Sequence, residues 1–348
     1  MTLFRPQPSS RFPAARRAWP AIIGIAAAVL ALPANAAELL NASYDVARSL
    51  YQDLNPAFVA EWSKSHKGET LQIDQSHGGS SKQARAVIDG LEADVVSMNN
   101  PLDIDAVAKA GLLPADWQSR LPNHSSPSWS AILFIVRKGN PKGIHDWDDL
   151  IKPGVQVIVP NPKTSGNGRY SYLAAWQYAR SKANGSDDAA LAFEKKLFGN
   201  VPVLDTGGRG ATTTFAQRGL GDVLLTFENE VGLIRSEFGA DQFEVVVPSL
   251  TVRADNPIAR VDKVAAKKGN TELAQAYLQF HYTPAAQEIV AHNGLRPIDE
   301  KVLKAHAAEF PALKLFDVDQ AFGGWTKAQA EHFADGGSFD RVIAGVQH

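Results

Sequence analysis

Four turns rich in glycine, serine and threonine are where this chain could do chemistry. They are residues 41–45 (Asn-Ala-Ser-Tyr-Asp), 76–81 (Ser-His-Gly-Gly-Ser-Ser), 163–169 (Lys-Thr-Ser-Gly-Asn-Gly-Arg) and 206–212 (Thr-Gly-Gly-Arg-Gly-Ala-Thr). Each follows a run that reads as a strand and opens one that reads as a helix. The first turn of a helix has backbone N–H groups without intrahelical partners, and the aligned peptide dipoles place partial positive charge there. Glycine lets an anion approach the backbone closely, and Ser and Thr add hydroxyl donors. One such turn is ordinary capping. Four on one chain point to a converging site for an anion held by neutral donors.

Other chemistries find less support. No segment matches the nucleotide phosphate-loop pattern that ends in Gly-Lys-Ser/Thr. Residues 78–82 are not a nucleophile elbow, because Lys82 stands at the second required glycine. His77 lies near Ser80, so a secreted serine hydrolase using these two residues stays open as an alternative. The nine histidines show no HExxH or other metal-ligand spacing, and no metal or cofactor is expected. With no cysteine there is no disulfide framework, thiolate site or thiol nucleophile. Trp325, Phe322 and Phe333 lie on helical segments and read as core.

The elements that must position the turns alternate. Strands are expected over residues 39–43, 71–75, 93–98, 131–138, 155–160, 202–205, 222–227 and 243–247, mostly with amphipathic helices between them. The helix after Asp45 turns Val46, Leu50, Leu54 and Phe58 inward, and Asn55-Pro56 is expected to kink or restart it. From Thr271 onward the chain reads as almost wholly helical. This alternation predicts an α/β fold with parallel or mixed sheets covered on both faces. No repeat of 20 to 50 residues is visible.

Residues 1–36 read as a signal peptide. Arg5, Arg11, Arg16 and Arg17 give a positive start, residues 21–32 an apolar run too short to span a bilayer well, and Ala34-Asn35-Ala36 a small-x-small cleavage pattern. Cleavage after Ala36 leaves 312 residues and, because four Arg and no acidic residue depart, changes the formal charge from −2 to −6. That balance, without a basic block, argues against nucleic acid as a partner. The polar stretches 122–130 and 248–257 read as crossovers between two lobes. Lobe I is then residues 37–128 plus 255–305, lobe II residues 129–254, and residues 306–348 are helices packing on the lobes.

At these turns, and over nearly all of the chain after residue 36, the sequence resembles the sulfate- and thiosulfate-binding proteins of bacterial ABC uptake systems. The resemblance runs through Leu39-Leu40-Asn41, residues 74–80 (Asp-Gln-Ser-His-Gly-Gly-Ser), residues 136–141 (Val-Arg-Lys-Gly-Asn-Pro), Asn161-Pro162-Lys163, Gly221-Asp222-Val223-Leu224 and Phe322-Gly323-Gly324-Trp325. It implies a two-lobed, type II periplasmic-binding-protein fold with the anion in the cleft, both crossovers being hinge strands. It also implies a periplasmic monomer that hands its ligand to the permease subunits of an ABC transporter and is not an enzyme. Position by position, the family's ligand shell falls on the N–H of Asp45, the N–H and hydroxyl of Ser80, the N–H groups of Gly166, Asn167 and Gly208, and Phe227.

Two of these positions depart from the sulfate-binding pattern. Asn167 replaces a glycine, and Phe227 stands where sulfate binders carry a tryptophan whose indole N–H donates to the anion. Residues 164–167 and 207–215 are closer to the thiosulfate-binding branch, and both anions stay open. A binder of another oxyanion, such as molybdate or phosphate, would keep the fold and change the cleft. A shell made only of donors suits an anion without a proton of its own. With His the sole unperturbed side chain titrating between about pH 5 and 8, little pH dependence is expected.

Overall fold

The computed structural model describes residues 36–346, without the side chain of Ala36. The expected signal peptide lies outside the described residues apart from Ala36, which opens the first strand. Among the described residues no helix is long and apolar enough to cross a membrane.

In chain order the strands are β1 (Ala36–Tyr44), β2 (Thr70–Gly78), β3 (Val95–Ser97), β4 (Ser128–Arg137), β5 (Val157–Pro160), β6 (Leu204–Asp205), β7 (Val223–Phe227), β8 (Phe243–Val246), β9 (Thr251–Asp255), β10 (Ile258–Arg260), β11 (Arg296–Pro297) and β12 (Leu315–Phe316). They form two sheets. The first has the order β10-β3-β1-β2, with β1 parallel to both β2 and β3 and β10 antiparallel to β3. The second runs β12-β9-β4-β7-β5-β6, with β8 and β11 also paired to β4. Central position explains the composition of β4. Its residues Ser128 to Val136 are all buried, so it reads as a nearly continuous apolar run instead of alternating.

Helices follow the carboxyl ends of the parallel strands. β1 leads into the helical turn Asp45–Ala47 and the helix Arg48–Ser65, and β2 into Ser80–Ile88. β5 leads into Gly166–Lys182, β6 into Gly208–Thr212 and β7 into Glu228–Phe238. In open α/β sheets the crevice outside the strands' carboxyl ends is where ligands bind.

Two expectations are corrected. The helix Arg48–Ser65 runs unbroken through Pro56. Its buried face of Leu50, Tyr51, Leu54 and Phe58 is held too firmly for one missing backbone hydrogen bond to end it. Phe58 meets Tyr277 edge to face at 5.1 Å, and the Tyr277 hydroxyl donates to Asn55 Oδ1 at 2.7 Å. The region after Thr271 also holds β11 and β12, two-residue strands too short to show alternation. Within the expected crossover 248–257, residues 251–255 form β9, with Val252 and Ala254 buried between half-exposed Arg253 and Asp255.

The chain passes from the first sheet to the second between β3 and β4, returns between β9 and β10 through Asn256 and Pro257, and passes to the second again between β10 and β11. The first two passages lie side by side. Asn256 N–H donates to the Ser128 carbonyl at 3.0 Å, and Met98 N–H to the Pro257 carbonyl at 2.9 Å.

Proline inside a helix costs about 3 kcal/mol relative to alanine, offset by about 1 kcal/mol through its restriction of the unfolded chain. Pro56→Ala should therefore stabilise the protein by about 2 kcal/mol, read as a higher urea midpoint at unchanged slope. An unchanged or lower midpoint would mean that the packing of the proline ring outweighs the restored bond to the Gln52 carbonyl.

Candidate functional site

The four turns meet. A Cβ at Gly79 would lie 3.0 Å from the carbonyl oxygens of both Thr164 and Thr206, so the second turn touches the third and fourth. One at Gly207 would lie 2.7 Å from Asp45 Oδ2 and 3.6 Å from Gly79 Cα. One at Gly208 would lie 3.0 Å from Val46 Cγ2 and 3.4 Å from Asn167 Nδ2. Real Cβ atoms essentially never come within 3.0 Å, so position 207 requires glycine and positions 79 and 208 are at the limit. The Thr164 hydroxyl closes the contact by donating to the Thr206 carbonyl at 3.1 Å.

At three of the four turns the residue before the helix offers no side-chain cap: those opening at Asp45, Ser80 and Gly208, the last being met from the first turn by Asp45. The third is capped by Ser165, whose hydroxyl accepts from Gly168 N–H at 3.4 Å. Ser165 is buried and adjoins Gly166, which makes it a further hydroxyl at the convergence.

Asp45, Ser80, Gly166, Asn167 and Gly208 lie on the turns that meet, and Phe227 ends the strand before the helix Glu228–Phe238. Ser80 is buried, and its hydroxyl oxygen accepts from Asn99 N–H at 3.4 Å, which leaves its proton available. Gly166 packs so tightly on Asn99 that a Cβ would lie 1.8 Å from Asn99 Oδ1. The Asn167 side chain is buried and occupied: Nδ2 donates to the Thr226 hydroxyl at 3.3 Å, and Oδ1 accepts from the Ser171 hydroxyl at 3.2 Å. Asparagine is thereby accommodated at this turn by satisfying its amide away from the helix start. Phe227, next to Thr226, is buried edge-on to Tyr170 at 5.9 Å.

The carboxylate of Asp45 reaches beyond its own turn. It accepts Arg209 N–H from the fourth turn at 3.2 Å. Burial raises its pKa, opposed by the N–H groups of Arg209, of Asp45 itself and of Val46 and by the charge of Arg48. The Arg209 guanidinium turns outward to Glu237 at 2.6 Å. Arg169 is buried, with Nη1 3.2 Å from Asp103 Oδ1 and Nε donating to the Pro162 carbonyl at 3.2 Å. Asp103 also takes the Ser81 hydroxyl and Asn100 Nδ2, both at 2.8 Å. This ion pair joins a helix that follows β3 to one that follows β5, so it bridges the two sides of the convergence.

Asn99, Asn100 and Asp103 escaped the sequence reading. Their signal was a fifth strand–turn–helix junction, where Asn100 caps a helix whose first residue is Pro101.

Two titratable groups stand close by. His77 is not joined to Ser80; its Nδ1 lies 2.7 Å from the Ser43 hydroxyl, opposite it in the β1–β2 pairing. Burial first, and the charge of Arg48 second, hold its pKa down to about 4, so it is neutral across the physiological range. Glu230 adds a perturbed group to the unperturbed histidines expected to titrate between pH 5 and 8. Fully buried beneath the fourth turn, it accepts the Thr212 hydroxyl at 2.7 Å. Burial pushes its pKa up to about 7; the Thr212 bond lowers it, Asp45 raises it, and Arg209 and Glu237 act in opposite directions.

Residues 42–296 match the family of bacterial extracellular solute-binding proteins. The chain is 56% identical over 307 residues to a thiosulfate-binding protein of Pseudomonas aeruginosa, covering 88% of this chain and 92% of that one. It is 53% identical over 305 residues to a sulfate-binding protein of Escherichia coli strain K12, with the same 88% and 92% coverage. The solved structure of the sulfate-binding protein SubI from Mycobacterium tuberculosis superposes with a TM-score of 0.76 at 33% identity, covering 85% of this chain and 99% of that one. The two-sheet architecture is thus the two-lobed, type II periplasmic-binding-protein fold. The chain belongs to the bacterial extracellular solute-binding proteins, within the group that holds the sulfate- and thiosulfate-binding proteins.

Proposed function

We propose that this protein is the solute-binding component of an ABC importer, working as a periplasmic monomer that captures sulfate or thiosulfate and delivers it to the membrane permease subunits. It binds without transforming its ligand. The observation that carries this reading is the meeting of four helix starts, three of them without a cap from their own N-cap residue. The ligand lies between lobe I (residues 37–128 and 255–305) and lobe II (residues 129–254). Its shell consists of the N–H groups of Asp45, Ser80, Gly166, Asn167 and Gly208 with the Ser80 hydroxyl, and Phe227 against one face.

The energetics allow this without a basic side chain on the ligand. A hydrogen bond to a charged group contributes about 1.5–3 kcal/mol. Five or six of them, less the cost of ordering and closure, are compatible with micromolar affinity, about −8 kcal/mol. Selection against hydrogen phosphate follows from the lack of a free acceptor, because the Asp45 carboxylate is engaged by Arg209 N–H. The apolar face of Phe227 suits the soft terminal sulfur of thiosulfate. The hydrolase alternative is disfavoured by the pairing of His77 with Ser43 instead of Ser80.

Calorimetric titration with sulfate, thiosulfate, phosphate and molybdate tests the reading. One sulfate or thiosulfate should bind per chain and phosphate should compete poorly; equal competition by phosphate would overturn the donor-only shell. Ser80→Ala should weaken binding by about 1.5–3 kcal/mol while the protein stays folded. Unchanged affinity would remove that hydroxyl from the shell.

Phe227→Trp adds an indole donor. Sulfate affinity should rise on the order of ten- to a hundredfold, less any overpacking cost of about 1–3 kcal/mol, and thiosulfate affinity should rise less. A sulfate-to-thiosulfate preference that does not move would place residue 227 away from the ligand.

Glu230 sets the pH dependence. A bound dianion is repelled by the ionised carboxylate, so binding favours the protonated form. Affinity should be flat below pH 6 and fall severalfold as the pH rises through about 7, while Glu230→Gln should be flat throughout. The same pH slope in both proteins would assign the effect to another group.

A further inference from the structure

Away from the anion cluster, Glu288, His292 and His306 come together, with one ligand atom from each lying within 4.8 Å of the others. Glu288 and His292 stand one turn apart on the helix Pro284–His292, and His306 directly follows the helix Glu300–Ala305. The two imidazole rings meet at 76° with centroids 5.0 Å apart, converging without stacking.

The hydrogen bonds set which nitrogens are available. His292 Nδ1 lies 2.7 Å from the Glu288 backbone carbonyl, which can only accept. Its proton is therefore on Nδ1, and Nε2 keeps a lone pair. His306 is held between two carboxylates, with Nδ1 2.7 Å from Glu309 Oε1 and Nε2 2.8 Å from Glu288 Oε2. These two hydrogen bonds raise its pKa. The proton between His306 Nε2 and Glu288 thus sits where a cation would sit.

We propose that Glu288, His292 and His306 form a binding site for one divalent transition-metal ion of the zinc type, with Glu309 as the positioning residue for His306. On binding, the metal displaces the proton of His306 Nε2 and is held by that nitrogen, His292 Nε2 and a Glu288 carboxylate oxygen. Glu309 retains the Nδ1–H and orients the ring, the carboxylate–histidine–metal arrangement usual around such ions. Two imidazoles and one carboxylate, with a water in the fourth position, are a ligand set of tetrahedral zinc. Magnesium and calcium, which take oxygen ligands, are poorly matched. The ion would tie the 306–309 segment to the helix Pro284–His292. Glu288 and His292 are four residues apart, a spacing that follows the helical turn but not the HExxH pattern.

The test uses tag-free protein freed of metal by a chelator and titrated with Zn²⁺ by calorimetry at pH 7.5. One ion per chain should bind saturably, with an enthalpy that depends on buffer ionisation because a proton is released. Zn²⁺ should raise the melting temperature, and excess Mg²⁺ should not compete. His292→Ala and His306→Ala should each abolish the saturable phase, and Glu309→Gln should weaken it about tenfold. Circular-dichroism melts establish that each variant is folded; should His306→Ala fail to fold, the exposed His292→Ala carries the test. Saturable binding unchanged in His292→Ala, or none in the original protein, overturns the proposal. Neither result bears on anion binding, which is measured separately.

Discussion

Backbone N–H groups at the start of a helix cannot be satisfied within that helix, and the packing of this molecule sets several such starts against one another. Much of the local architecture follows from that constraint. The helices begin where parallel strands end, because β1, β2, β5 and β6 each turn directly into one. Glycine is required where the starts touch, since a methyl group at position 166 or 207 would collide with Asn99 or Asp45. Some of these N–H groups are answered inside the protein, that of Arg209 by the Asp45 carboxylate and that of Gly168 by the Ser165 hydroxyl.

Formal charge is kept close to this cluster but not turned on it. Arg169 is buried with Asp103, and Arg296 with Glu228, the residue that follows Phe227. Each pair neutralises itself locally. Arg209 contributes its backbone to the cluster and sends its guanidinium to the surface. A shell built this way discriminates by the number and direction of donors instead of by net attraction, so its field extends only a short distance. The buried Glu230 is the exception, since its charge changes near neutrality.

Much of this was legible in the sequence because it rests on local patterns. Strand-to-helix junctions announce themselves through glycine and serine after an apolar run, and four of those that matter were visible so. The residues that escaped depend on tertiary contacts. Nothing local marks Asp45 as the acceptor for Arg209, 164 residues away. The Pro56 helix defied its own propensity because its buried face is anchored by Phe58 and by the Tyr277 hydroxyl on Asn55. The short strands β11 and β12 exist only as partners of β4 and β9. The Glu288–His306 cluster joins two helices whose spacing along the chain carries no recognisable signature, and the raised pKa of Glu230 comes from burial that no sequence window reports.

Of the three passages between the sheets, the first two run next to each other, and the second is only Asn256 and Pro257 long. That short link is held to its neighbour by Asn256 N–H on the Ser128 carbonyl, so a residue inserted in either passage would be felt in both.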